Sequence, residues 1–177
     1  MKLGLGKNEV KIVPYEIEWK DEFSRVKKDI LLHTNVNENQ IEHIGSTAIV
    51  EMPAKPIIDI LMGVNDLELL DGELIKGLKE SGFLRLRVER SNEIVFAKFT
   101  DDTNEVKTHF IHLVEYNGEL WNNLIFFRDY LNEHEDVRKE YLNIKLAYIN
   151  KKSIGINEYT DFKENFVRNI FAKRIGE

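Results

Sequence analysis

The sequence contains no cysteine, which excludes several kinds of chemistry. Disulfide bonds, thiolate catalysis and cysteine-ligated zinc sites all depend on that side chain. The N-terminus, MKLGLGKNEVKIV, also lacks the sustained apolar segment and small-residue cleavage site of a secretory signal. Both absences are typical of proteins in a reducing compartment, so we expect a cytoplasmic protein.

Long apolar runs and prolines are also scarce. No stretch approaches the roughly 18 apolar residues that a membrane helix needs, so we expect no membrane partner. The three prolines are Pro14, Pro53 and Pro56, and neither a Gly/Pro-rich linker nor an internal repeat divides the chain. The length of 177 residues is that of about one domain, so we predict a single domain over residues 1–177.

The charge of the chain is acidic overall and uneven along its length. The net charge of −6 argues against a general nucleic-acid binder, which needs a basic surface. Residues 138–174, however, hold nine Lys and Arg against four Asp and Glu, a local charge of +5. This basic segment is either a solvated helix face or a surface that meets phosphate groups.

The spacing of apolar residues predicts the secondary structure. Trp19, Phe23, Val26 and Ile30 recur at helical spacing and predict an N-terminal helix. The later predictions, in chain order, are a strand over 40–46, a helical turn over 47–52, a strand over 56–63, a helix over 66–82, strands over 83–90, 92–100 and 105–116, a long helix over 119–151 broken near His134, and a last helix over 161–174. This order indicates an α+β fold with α/β character: a mixed sheet of about five strands, helices packed on it, and extra C-terminal helices.

One acidic residue, Asp59, interrupts the apolar strand PIIDILMG. Side chains alternate between the two faces of a strand, so Asp59 shares its face with Ile57 and Leu61. A carboxylate is costly to bury unless a partner compensates its charge. Asp59 is therefore either a structural group, which caps a helix or pairs with a basic side chain, or a ligand for a divalent cation at an opening of the sheet.

A Gly–Ser turn precedes this strand. Gly45 and Ser46, with the adjoining Thr47, follow a short predicted strand. Glycine lets a ligand approach the backbone, whose N–H groups bind phosphate oxygens together with a serine hydroxyl. Lys55, between the turn and Asp59, is either a further phosphate ligand or an exposed loop lysine. The order of turn, short helix and acidic strand predicts a phosphate site beside a metal ligand.

Four stretches of the sequence together resemble the GrpB family. They are VPYEIEWKDEF near the N-terminus, HIGSTAIVEMPAKPIIDILMGV around the turn, KTHFIHLVE in a predicted strand, and FFRDYLNEHEDVRKEYLNIKLAY in the following helix. The family is an uncharacterised one placed in the nucleotidyltransferase superfold, in which a Gly–Ser turn binds nucleotide phosphates and carboxylates on two strands hold two Mg²⁺ ions. The resemblance implies a bacterial, nucleotide-binding protein, and in some bacteria such a domain is fused to dephospho-CoA kinase.

Two departures bear on the implied site. The superfold's usual motif is an acid, one apolar residue and a second acid, but Leu61 stands where the second acid would follow Asp59. Many GrpB proteins have Pro-Gly where this chain has Val50 and Glu51, so Glu51 is either a substitute ligand or part of a loop that is built differently. The missing acid argues against an ordinary two-metal mechanism.

Three histidines flank the expected site, either as ligands or as hydrogen-bonded structural residues. His109 and His112 are three residues apart in a predicted strand, so only one of them can share the face of Asp59. Imidazole is a poor ligand for Mg²⁺ and a good one for Zn²⁺ or Mn²⁺. The candidate metal ligands are thus Asp59, His109 and His112, with His43 as a further candidate.

Arg128 lies in the stretch of helix that resembles the family. It is a candidate phosphate ligand, and its alternative is a structural ion pair. Adjacent helical residues point about 100° apart, so no mutual pair with Asp129 is expected.

Two functions fit these patterns. The first is metal-dependent transfer of a nucleoside monophosphate from a nucleoside triphosphate to a small acceptor, with Mg²⁺ or Mn²⁺ as cofactor and Asp59 and His112 as catalytic residues. The second is a catalytically degenerate module that binds a nucleotide or another phosphorylated small molecule and is linked to coenzyme A metabolism. A hydrolytic transition-metal site is a third, weaker alternative.

Overall fold

The structure is a computed structural model that describes residues 1–6, 9, 11–88, 90–100, 103–150 and 156–176, with 148–150 and 156–162 described by their backbone alone. Within these ranges, the strands are β1 (Ile41–Ile44), β2 (Ile58–Val64), β3 (Phe83–Arg85), β4 (Ile94–Phe99) and β5 (Lys107–Glu115). They form one sheet in the order β1-β2-β5-β4-β3. β2 and β5 are parallel and the other pairs are antiparallel, so the predicted mixed sheet of five strands is confirmed.

Helices flank this sheet. They are α1 (Glu18–His33), α2 (Gly72–Glu80), α3 (Glu119–Glu133), α4 (Glu135–Asn150) and α5 (Ile156–Gly176). The predicted break near His134 is confirmed, because the backbone of that residue is extended (φ −116°, ψ 98°) between α3 and α4. None of the described helices is long and apolar enough to cross a membrane.

Three predicted elements are shorter in the structure. α2 begins at Gly72 rather than at residue 66, because the Asp71 carboxylate caps it by accepting a backbone N–H at 3.0 Å. The strand predicted over 83–90 ends at Arg85, where its paired register with β4 ends. The helical turn predicted over 47–52 is a short 3₁₀ turn, Ser46–Ala48.

The two faces of β2 pack against different elements. Ile58, Ile60 and Met62 belong to the apolar cluster that includes side chains of α1 and α2, whereas Leu61 packs with Trp121 of α3. Coverage of both faces explains the nearly continuous apolar run of this strand. The C-terminal helices and the loop after β1 form another apolar cluster of Ile49, Met52, Phe127, Leu131, Tyr141, Phe166 and Ile170.

Candidate functional site

The turn after β1 lies directly against Asp59. Ile44, the last residue of β1, pairs with Asp59 in the antiparallel register, so the chain turns next to the Asp59 side chain. Gly45 has φ +72°, a backbone conformation that favours glycine, and a Cβ atom added there would lie 2.9 Å from the Cβ of Asp59. The structure thus brings the Gly–Ser turn and the carboxylate together, as their order in the sequence predicts.

Thr47 and His43 support the turn from behind. The buried Thr47 hydroxyl donates to the carbonyl of Ile57 (3.4 Å) and accepts from Nε2 of His43 (3.0 Å). The imidazole of His43 stacks on Phe23, with 4.8 Å between ring centroids, and burial lowers its pKa to about 4. Because His43 is neutral at pH 7 and fully engaged, it is placed as a support for Thr47 rather than as a metal ligand.

His112 lies between two carboxylates on the face of the sheet that carries Asp59. Its Nε2 is 3.3 Å from Oδ1 of Asp59, and its Nδ1 contacts Oε1 of Glu93. The register explains this row, because His112 pairs with Leu61 of β2 and Val95 of β4. Asp59 and Glu93 each precede those partners by two residues, so all three side chains point to the same face.

The charges in this row stabilise one another. Burial alone would lower the pKa of His112, but the hydrogen bonds to Asp59 and Glu93 and the charges of these carboxylates raise it to about 9. Burial would raise the pKa of Glu93, but His112 and the Arg90 guanidinium, 2.9 Å away, lower it. At pH 7 the row is therefore an imidazolium that donates to two carboxylates.

The donor set fits one metal ion through Asp59 better than a pair of ions. Asp59 retains 29% side-chain exposure, whereas Glu93 retains 9% and is bound by His112. Leu61, in the position of the usual second acid, is fully buried in the core. In the part of the chain that the structure describes, no group of three or more His, Asp or Glu could hold a metal ion. Among the described residues of the cleft, Asp59 thus offers a cation a single carboxylate.

His109 lies on the opposite face of β5. It is 3% exposed, and its Nε2 is 3.1 Å from the Glu22 carboxylate of α1. Its Nδ1 bonds the hydroxyl of Thr108 (2.8 Å), and burial lowers its pKa to about 4. This placement argues against His109 as a metal ligand beside Asp59 and leaves His112 as the histidine that faces it.

Arg128 and Glu51 lie outside the cleft. Nη1 of Arg128 donates to Glu42 (2.7 Å) and to the carbonyl of His43 (3.0 Å), while its Nε donates to Asp129 (2.7 Å). The expectation that Arg128 and Asp129 do not pair is wrong, because the long arginine side chain reaches around the helix. These contacts place Arg128 as an ion-paired support for β1 rather than as a phosphate ligand. Glu51 is 76% exposed and lies 3.8 Å from Arg138.

A cleft of about 510 Å³ opens beside Asp59 and the turn. Apolar side chains line part of it: Ile12, Ile57, Leu86, Val88, Val95 and Phe110. Basic side chains line the rest with Ser46 and Thr47: Lys55, Arg90, Lys107, Lys145 and Lys163. Asp59 is the one acidic residue among the described lining residues. An excess of positive charge in a cleft attracts anions.

Several of these residues were not predicted from the sequence. Glu93 and Arg90 precede β4, and only the strand order brings them beside His112. Lys145 and Lys163 come from α4 and α5, within the basic segment for which the sequence left a phosphate-binding surface as one alternative. The charge of that segment was the available signal, but it did not indicate which lysines face the cleft.

The chain is similar to known proteins along most of its length. The glutamate-rich protein GrpB of Alkalihalophilus pseudofirmus is 44% identical over 171 residues, with 95% of this chain and 97% of that protein covered. The UPF0157 protein YqkA of Bacillus subtilis is 29% identical over 162 residues, covering 92% of this chain and 46% of that protein. A dephospho-CoA kinase of Mycobacterium tuberculosis is 25% identical over 176 residues, covering 87% of this chain and 43% of the kinase.

Solved structures and a family model agree with these relatives. The conserved protein GrpB from Enterococcus faecalis superposes with a TM-score of 0.71 at 22% identity, covering 93% of this chain and 99% of that one. The Cid1 poly(U) polymerase bound to MgGTP superposes with a TM-score of 0.50 at 14% identity, covering 76% of this chain and 43% of that one, which shows a nucleotidyltransferase-like fold. The family model described as GrpB protein matches residues 9–173. This chain therefore belongs to the GrpB family, as the four sequence stretches predict.

Proposed function

We propose that the protein binds a nucleoside triphosphate with Mg²⁺ or Mn²⁺ and transfers the nucleoside monophosphate to a small acceptor. The observation that carries this proposal is the close approach of the turn at Gly45 to Asp59, beside a cleft that Ser46, Asp59 and basic side chains line. A polymerase of similar fold, Cid1, binds MgGTP. The net charge of −6 favours a small acceptor over a nucleic acid.

The residues of the cleft have separate roles in this proposal. Ser46 lies where the turn meets the cleft and holds a phosphate oxygen, while the buried Thr47 hydroxyl keeps its bonds to His43 and Ile57 and supports the turn. Asp59 is the protein ligand of the metal, which would stabilise negative charge on the transferring phosphate. His112 keeps the Asp59 carboxylate oriented toward the cleft. Because both of its ring nitrogens face carboxylates, it is a hydrogen-bond donor rather than a general base.

The proposed transfer is a substitution at the α-phosphorus. An acceptor oxygen or nitrogen forms a bond to this phosphorus as the bond to the bridging oxygen of the β-phosphate breaks. Pyrophosphate leaves, and the proton of the acceptor passes to solvent. The basic side chains of the cleft compensate the charge that develops on the leaving phosphates.

A second candidate is a module that binds a nucleotide or another phosphorylated molecule without turnover. The burial of Leu61 in place of the second acid favours it, together with the engagement of Glu93 by His112. In this case the cleft recognises phosphates, and the relative named dephospho-CoA kinase makes a coenzyme A precursor a ligand to include in the test.

Calorimetric titration distinguishes these two functions from a protein that keeps the fold but binds no phosphorylated ligand. ATP, GTP, CTP, UTP and dephospho-coenzyme A are titrated into the protein with Mg²⁺ or Mn²⁺, and into an Asp59→Asn variant. We expect binding that Mg²⁺ or Mn²⁺ strengthens, and the variant should lose this dependence on the metal. Absence of nucleotide binding by a folded wild-type protein would refute the transfer, and absence of binding by all of these ligands would refute both candidates. Pyrophosphate release with a small-molecule cell extract as acceptor source, dependent on Asp59, supports transfer; binding without release supports the module.

A further inference from the structure

Lys145 is a buried lysine that the proposed roles of the turn and Asp59 do not use. It lies on α4 and is 6% exposed. Its Nζ donates to the hydroxyl of Ser46 (3.2 Å) and to the carbonyl of Pro53 (2.7 Å), and lies 5.0 Å from the ring centroid of Tyr141. This side chain therefore connects the C-terminal helices to the Gly–Ser turn at the cleft wall.

The charge of Lys145 lacks a carboxylate partner among the described residues. Every ion pair of the described part of the chain that lies within 4.0 Å is formed by other side chains. Burial and the charge of Lys163 lower the pKa of Lys145 to about 7. An ammonium group that is buried without a counter-ion is costly, and an anion that enters the cleft would reduce this cost.

Two other lysines, Lys55 and Lys163, line the same cleft as Lys145. Burial lowers the pKa of Lys55, and the charge of Lys163 lowers it further, as it does for Lys145. All three line the same cleft with Ser46 and come from the loop after β1, from α4 and from α5. Three basic side chains that line one cleft match the charge of two or three linked phosphates better than that of one.

We propose that Lys145, Lys55 and Lys163 form a seat for the terminal phosphates of the nucleotide, a subsite specific for di- and triphosphate groups. That the ligand is a nucleotide rests on the proposed function. The three lysines themselves would bind any linear polyphosphate. Lys145 has a double role, since it holds the Ser46 hydroxyl in place and contributes charge. The seat binds its anion through cationic side chains, so it does not require the metal.

The experiment uses inorganic anions, so that base and metal are absent. Orthophosphate, pyrophosphate and tripolyphosphate are titrated calorimetrically into the full-length protein at pH 7 in EDTA. We expect affinity to rise along this series. Lys145→Met and Lys163→Met should each weaken tripolyphosphate binding about tenfold or more, because a charge-assisted hydrogen bond contributes that much. The matched controls are Lys139→Met in α4 and Lys173→Met in α5, both outside the residues that line the cleft, and both should bind as the wild type does.

The outcomes separate the seat from the proposed function. Tripolyphosphate binding that needs Lys145 and Lys163, without nucleotide binding, supports the seat and refutes the nucleotide as ligand. Nucleotide binding without tripolyphosphate binding, or equal loss in the control variants, overturns the seat and leaves the proposed function standing. Should Lys145→Met fail to fold by circular dichroism, the exposed Lys163 supplies the test, and unchanged binding by Lys163→Met overturns the proposal.

Discussion

Replacement of His112 by glutamine should destabilise the protein in a way that depends on pH. The pKa of His112 is raised to about 9 in the folded protein by its two carboxylate partners, against about 6.5 in an unfolded chain. A raised pKa means that the contribution is complete below pH 6.5 and is lost as the pH rises through 9. The difference of about 2.5 pH units, at about 1.4 kcal/mol each, corresponds to about 3 kcal/mol in the free energy of unfolding.

Urea unfolding of wild type and His112→Gln at pH 6.0 and pH 9.5, in EDTA, measures this contribution. The destabilisation by the substitution should be about 3 kcal/mol larger at pH 6.0. The free energy of unfolding of the variant must be subtracted from that of the wild type, because the titration of Lys145 changes stability with pH in the opposite direction. Its lowered pKa of about 7 makes stability rise between pH 7 and about 10.5, which masks the effect of His112 in the wild type but is common to both proteins.

Two further variants make the result interpretable. His134→Gln makes the same change at a histidine that stacks on Tyr130, with 4.0 Å between ring centroids, and reports the cost of replacing an imidazole away from the cleft. Glu93→Gln removes one of the two carboxylates and should reduce the pH dependence contributed by His112 without abolishing it. Equal destabilisation by His112→Gln at both pH values would show that the imidazole is not held as a cation between Asp59 and Glu93.

Three other predictions follow from the same geometry. Gly45→Ala should cost at least about 1 kcal/mol, because φ of +72° is unfavourable for alanine and the new methyl group meets Asp59; an unchanged thermal midpoint would contradict it. Leu61→Asp restores the acidic motif but should destabilise by several kcal/mol, because the site is fully buried; a stable, Mn²⁺-binding variant in urea unfolding and Mn²⁺ titration would refute this. Burial lowers the pKa of His43 and His109 to about 4, so the free energy of unfolding should fall between pH 6.5 and 4.5 by about 2 kcal/mol per histidine; in urea unfolding, His109→Gln should remove the contribution of one histidine to this loss.

The sequence was sufficient to predict the placement of residues that depend on one strand or one turn. Alternation along β5 correctly put His109 and His112 on opposite faces, and the contact between the turn and Asp59 agrees with their order in the chain. It could not decide which histidine faces Asp59, since that depends on the register between β2 and β5. Registers between strands that are far apart in sequence are set by the packing of the whole sheet.

The residues that the sequence did not indicate are those that reach the cleft from other elements. Glu93 arrives through the pairing of β4 with β5, and Lys145 through the packing of α4 beside the turn. The error at Arg128 has a different cause, because the 100° angle between neighbouring helical positions describes Cβ directions. A long side chain can bend back to its neighbour, as the 2.7 Å contact between Arg128 and Asp129 shows.

The arrangement of charge around Asp59 limits what the cleft can bind. Leu61 leaves Asp59 without a second acid on its own strand, while Glu93 on a neighbouring strand supplies a carboxylate that His112 already neutralises. A metal ion that binds Asp59 must therefore compete with an imidazolium for Oδ1 of that carboxylate, and phosphates that bring further ligands to the ion would favour its binding. Because the lysines of the cleft attract those phosphates independently, binding of the phosphate chain should come first and metal coordination by Asp59 second. A protein that bound the free metal ion tightly, before any phosphate, would contradict this order.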